Sequence, residues 1–439
     1  MRLAVRWALP LAAAIPAFGF AQSPPVEEEQ WSLHAQSTYI YQKKPAFDAP
    51  YSGPNSLTAE RARDYSFTGT FFAGARLWPG GEGYANLEAV QGVPISDLTG
   101  LGGLTNGELQ KTVGPTLRWY RARAFVRQTF GFGGGTETVE PDKNQLGGPV
   151  DKRRLVITAG NLAVMDLFDN NKFAHDPRTD FFNWALVTSG AYDFAADSRG
   201  YSWGAAAEWY DGAWAARIGR FAQPKESNGL PLDFRLFRHY GDQVELERGV
   251  ELAGRPGRLR VLLFRNIAVM GRFRDALEEA QATGGTPDLT KVRKLTSKYG
   301  IAGNAEQQFT DELGGFMRAS RNNGQAETYA FAEIDRSVAI GAQLTGKRWR
   351  RPEDEVGVAL IRNELSSAHR DYVAAGGLGF FIGEGRINYR AEEIVEAYYS
   401  VALGKHAFFT LDAQRIRDPA YNADRGPASF YAGRIHLEF

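Results

Sequence analysis

The chain has 439 residues, with 51 basic and 51 acidic side chains and no cysteine. Balanced charge leaves no positive field to gather nucleic acid, and without disulfides the fold must rest on buried area and hydrogen bonding. Beyond the first twenty or so residues no apolar run reaches about 18, which excludes a membrane helix but not a closed barrel.

The chain opens on Arg2 and Arg6, followed by an apolar run from Trp7 to Phe20 that Pro10 and Pro16 interrupt. Gly19 and Ala21 have the small-residue spacing of a cleavage site. The segment reads as a secretory leader over residues 1–21, cleaved near Ala21, and is too short and broken to anchor as a helix. Residues 22–439 are then expected as one domain. Aromatics make up 13% of the chain and its 49 glycines are spread throughout, a composition of many strands and turns.

Period-two alternation dominates from there on. In 31–42, Trp31, Leu33, Ala35, Ser37, Tyr39 and Tyr41 share one face, and polar residues fill most of the other. A strand with lipid on one side and water on the other has this pattern. The pattern returns in 65–78, turns at Pro79–Gly83, and continues in 84–91 with Tyr84, Asn86 and Glu88 on the polar face. Further candidates are 116–130, 153–161, 199–210, 213–221, 242–253, 258–268, 298–309, 312–321, 327–335, 337–345, 355–364, 394–403, 407–417 and 429–439. That is an odd number, whereas bacterial single-chain barrels have even ones, so one segment is wrong or split and about sixteen strands are expected. Segment 153–161 is the weakest and could belong to an inward loop. Short helices are expected at 274–282 and at 366–375, the latter ended by Gly376-Gly377. The fold class is an all-β, up-and-down transmembrane barrel with long loops at one end and one or more folded into the lumen.

The last strand alternates Tyr431, Gly433, Ile435, Leu437 and Phe439. A terminal strand ending on phenylalanine resembles the signal read by outer-membrane assembly machinery, which makes that machinery and outer-membrane lipid expected partners.

In 116–130, Trp119, Arg121, Arg123, Phe125 and Arg127 fall on one face by strict alternation. They are expected to line the lumen as a ladder of guanidinium donors beside a ring able to stack on a sugar. Arg76 and Glu88 are expected to face inward on neighbouring strands. Segment 161–180 holds Asp166, Asp169, Asn170, Lys172, His175 and Arg178. Both charge signs and amides in one loop suggest a constriction. An inert surface loop is the alternative, and neither zinc nor calcium spacing is present. No metal or cofactor is expected. Neither GxSxG, HExxH nor a P-loop occurs, so no enzyme activity is expected.

Several stretches then resemble one family: FDAPYSGPNSL (47–57), GARLWPGGEGYANLEAVQG (74–92), AGNLAVMDLFDNNKFAHDPRTDFFNWAL (159–186), HRDYVAAGGLGFFIGEGRINY (369–389) and EAYYSVALGKHAFFTLDAQRIRDPAYNADRGP (396–427). In order and spacing they resemble the OprB-type carbohydrate-selective porins of Gram-negative bacteria. The resemblance implies a 16-stranded barrel, inward loops, arginine, acidic and aromatic side chains at a constriction, and passive uptake of monosaccharides. Segment 272–294 matches no functional element of that family. Small sugars are the expected solutes. A general or anion-leaning porin is the alternative, and a soluble periplasmic sugar-binding β-protein is a second.

Overall fold

A computed structural model describes residues 28–109, 114–330 and 332–439. The proposed leader lies outside the described residues. Sixteen long strands close into one antiparallel barrel. They are β1 (Trp31–Lys44), β2 (Ala62–Trp78), β3 (Gly81–Val93), β4 (Arg118–Gly131), β5 (Arg154–Leu162), β6 (Ser202–Asp211), β7 (Trp214–Pro224) and β8 (Tyr240–Leu252). The second half is β9 (Arg255–Met270), β10 (Lys294–Gln308), β11 (Leu313–Asn322), β12 (Arg336–Gly346), β13 (Arg351–Glu364), β14 (Glu392–Ala402), β15 (Ala407–Arg417) and β16 (Ala428–Glu438). Each strand pairs with its chain neighbours, and β16 returns to β1 with Ile435 opposite Tyr39. Closure leaves no edge of unpaired amides, which is what lets strands cross hydrocarbon.

Side-chain alternation follows the expected sense. On β9, Leu259, Val261 and Leu263 are exposed on the outer wall, while Arg260, Leu262 and Phe264 are buried. On β2, Phe71 faces outward and Thr68, Thr70 and Phe72 inward. An apolar outside with polar residues behind it excludes the soluble alternative, because water would meet the wrong face.

Two candidate segments change status. Residues 153–161, the weakest, form a full strand, β5, paired on both sides. The described residues of 327–335 form no strand. Their backbone is satisfied by other loops instead: Tyr329 and Ala330 donate to Asp193, and Glu333 donates to the Gly102 carbonyl. The described residues of the segment are buried on both parities, as in a packed loop rather than a sheet with one wet face.

Short turns cluster at one end of the barrel and long loops at the other. One connector breaks this asymmetry. Residues 132–153, at the turn end, form a small hairpin (Thr136–Val139 with Gly148–Asp151) whose tip reaches back beneath the lumen. At the loop end, α2 (Phe273–Thr283) packs on α3 (Ser367–Ala374) after a helical turn, α1 (Trp184–Val187). Phe273 stacks on His369 at 4.1 Å. Segment 272–294 is thus a structural cover at the loop end.

The long loop 163–201 folds into the barrel and carries its own apolar core. Phe168, Phe181, Leu186, Tyr192 and Phe194 pack against wall rings Phe221, Phe264, Phe316 and Tyr398. Phe181 meets Tyr398 edge-on at 4.9 Å. Each fully buried ring contributes about 1.5–3 kcal/mol, so burial holds this loop in place. The lumen is therefore not wet throughout: one side is packed, and the polar space runs along β4 and β5.

Candidate functional site

Loop 163–201 is fixed from both sides by strand residues. Arg434, buried on β16, donates to the carbonyls of Pro177 (2.8 Å), Asp180 (2.8 Å) and Thr179 (2.6 Å). Arg318 on β11 donates to the carbonyl of Asp169 at 3.0 Å. Asp169 has a left-handed backbone (φ 56) and its carboxylate accepts from Thr188 at 2.8 Å and Asn304 at 2.8 Å. Glu396 on β14 accepts from the amides of Phe182 and Asn183. Free amides and carbonyls of an irregular segment inside a barrel need such partners.

The segment so held presents Arg178 to the β2–β4 wall. Its guanidinium pairs with Glu88 at 3.1 Å and with Glu108 at 3.0 Å. Glu88 also accepts from Thr70 at 2.9 Å, from Tyr120, and from Tyr201 at 3.3 Å. Thr68 donates to Glu108. Burial pushes the Glu108 carboxyl above its usual range, against the pull of Arg178. Burial pushes Asp176 the same way, but the charges of Arg178 and Lys143 outweigh it and hold that carboxyl below the usual range.

Beside this hub lies a cavity of about 410 Å³. Arg123 enters it from β4 and grips Asp166 with two bonds, 2.7 and 2.6 Å, while lying 5.2 Å over the Tyr201 ring. Arg127 sits 5.2 Å over the Tyr84 ring and donates to the Asn144 carbonyl at 3.1 Å. Arg199 lies 4.3 Å over Tyr120. The turn-end hairpin supplies the floor, from Asp142 to Gln145, and Lys143 reaches Glu438 at 3.3 Å. The walls thus offer guanidinium donors, carboxylate acceptors and ring faces, nearly charge-balanced.

Of the residues expected to line the lumen, Arg123, Phe125, Arg127, Asp166, Asn170, His175 and Arg178 do line this cavity. The others do not. Trp119 and Arg121 point outward: Trp119 stacks on Phe71 at 6.4 Å, and Arg121 lies 5.2 Å over Trp203. The cause is a β-bulge, where Arg123 faces Asn86 but Arg121 already faces Leu87. One extra residue reverses the phase of everything before it. Glu88 is wholly buried and braces the wall. Arg76 lies beneath the hairpin, pairing with Glu82 at 2.9 Å and donating to the Gly147 carbonyl. Asp169 is an internal anchor, and Lys172 reaches Gln308 toward the turn end. Glu108, Lys143, Tyr201 and Arg434 were not among the expected residues. Inward parity marks Arg434 alone; the rest carry no local signature.

A family model described as the carbohydrate-selective porin, OprB family, matches residues 65–439. The chain belongs to the OprB family. This porin is similar in fold to the high-pH structure of Pseudomonas putida OprB: TM-score 0.70, 15% identity, covering 93% of this chain and 94% of that one. The low-pH structure of the same protein aligns with TM-score 0.52 at 12% identity, covering 93% of each chain. The outer-membrane channel DcaP of Acinetobacter baumannii aligns with TM-score 0.50 at 8% identity, covering 93% of this porin and 97% of that chain. No curated protein matches it by sequence. It is an outer-membrane carbohydrate porin, of a family of channels rather than enzymes.

Proposed function

We propose that the cavity between loop 163–201 and β4–β5 is the sugar passage, and that monosaccharides cross it by facilitated diffusion. The observation that carries this is its mixed lining. Arg123, Arg178 and Arg199 alternate with Asp166, Asp176 and the rings of Phe125 and Tyr201 around about 410 Å³. Guanidinium and carboxylate groups replace hydrogen bonds that a sugar loses from water, while ring faces meet its apolar C–H faces. Because Arg123 and Arg178 are paired with carboxylates, no strong field forces a charged solute. Contacts stay weak enough for release, as conduction requires. In this reading residues 1–21 are removed on export, residues 22–439 form one barrel, and assembly machinery recognises the strand ending at Phe439.

The test is single-channel recording with glucose added to either chamber, alongside swelling of proteoliposomes in glucose. Glucose-dependent interruption of current and rapid swelling are expected. Strong anion preference with no response to glucose would replace this reading with a general, anion-leaning porin.

A further inference from the structure

The outer wall carries a second charged feature, which the passage does not use. At the loop end of β9 to β15, outward positions hold Arg265, Arg321, Arg336, Arg362, Arg415 and Arg417, all exposed. Two carboxylates stand among them. Glu364 takes Arg362 at 3.0 Å and only distantly Arg336, at 4.0 Å. Glu393 takes Arg362 at 2.8 Å and Arg417 at 3.2 Å. Arg265 and Arg415 bond serine hydroxyls, Ser297 at 3.2 Å and Ser429 at 2.8 Å. Arg321 has no ion pair among the described residues. The rim is therefore clearly positive.

Register sharpens the point. Arg321 stands directly opposite Arg336 on the neighbouring strand, both on the outer face. Like charges so placed repel, unless an anion lies between them. Beside them is a recess of about 230 Å³ lined by Arg336, Arg362, Arg370 and Tyr389, with Glu364 the one carboxylate among them. Immediately toward the barrel middle, the same strands present Val338, Ile340 and Leu360 to hydrocarbon. The arginines thus occupy the headgroup layer above acyl chains.

We infer that this rim binds the phosphates of an outer-leaflet glycolipid, with Arg321 and Arg336 clamping one phosphate. Guanidinium groups suit phosphate because their paired donors match its oxygens. A lipid, not a free anion, is the occupant this site fits: the apolar belt below it takes acyl chains, and Tyr389 and the recess take a sugar headgroup.

The experiment titrates detergent-solubilised porin with diphosphoryl lipid A and reads binding from the shift in thermal unfolding. The wild type binds, and R321Q/R336Q binds roughly thirtyfold more weakly. R321K/R336K, which keeps the charge but loses the paired donors, binds with an affinity between the two. Single-channel conductance of both variants matches the wild type, which shows that they fold. Equal binding by R321Q/R336Q and wild type overturns the proposal, as does equal binding of dephosphorylated lipid A. Displacement of the lipid by inorganic phosphate at comparable concentration also overturns it, in favour of a simple anion site.

Discussion

The bulge in β4 separates two arginines that strict alternation would treat alike, and that makes a sharp prediction. Arg123→Ala removes a guanidinium bound to Asp166 by two short bonds, the side chains being 12% and 29% exposed. Charge-assisted hydrogen bonds contribute about 1.5–3 kcal/mol each when desolvated. Water at Asp166 reduces the sum, to about 2 kcal/mol in all. At about 1.4 kcal/mol per decade, the start of loop 163–201 would leave the wall roughly thirtyfold more often. Asp166 would also face the passage unpaired. Planar-bilayer recordings should then show higher mean conductance, frequent transitions between levels, and a reversal potential moved toward cations. Arg121→Ala should behave as wild type, because that side chain faces lipid beside Trp203. If Arg121→Ala opens the channel as much as Arg123→Ala, or if Arg123→Ala changes nothing, the phase reversal at the bulge is wrong.

Arg434→Gln should loosen the loop by about 3 kcal/mol, since a charged donor to three carbonyls is lost; trypsin should then cut the folded porin at Arg178, which the wild type resists. Gly160→Ala should fold poorly, because φ is +142° there and a Cβ would meet the Ala124 carbonyl oxygen at 2.4 Å. Loss of the compact, heat-modifiable band on unheated SDS gels would report it, and a normal band would count against the close approach. Lys143→Ala removes a partly exposed pair with Glu438, so stability should fall by less than about 1 kcal/mol. Its position on the floor predicts a current–voltage curve that becomes asymmetric, and an unchanged curve would place the hairpin tip outside the passage.

The barrel was legible in the chain because every strand has to meet two solvents. Val338, Ile340 and Leu360 face hydrocarbon, and residues such as Thr68 and Thr70 face inward, so period two is imposed residue by residue. The same reasoning placed Arg123, Arg127 and the polar loop around Asp166 inside. It failed where local pattern and spatial role part. One extra residue at the β4 bulge turned Trp119 and Arg121 to lipid, and no composition marks a bulge. The described residues of 327–335 are buried among loops on both parities, so a strand-like stretch there has no sheet behind it.

What the sequence determines alone is therefore the class of fold, the inside–outside sense of most strands, and the chemical character of loop 163–201. What only the tertiary structure decides is which charges meet. Arg178 reaches Glu88 and Glu108, and Arg434 holds carbonyls more than two hundred residues away in the chain. Such pairs depend on barrel closure and on how the loop's apolar core seats against Phe316 and Tyr398. Both are long-range packing, for which a local stretch of chain carries no periodic trace.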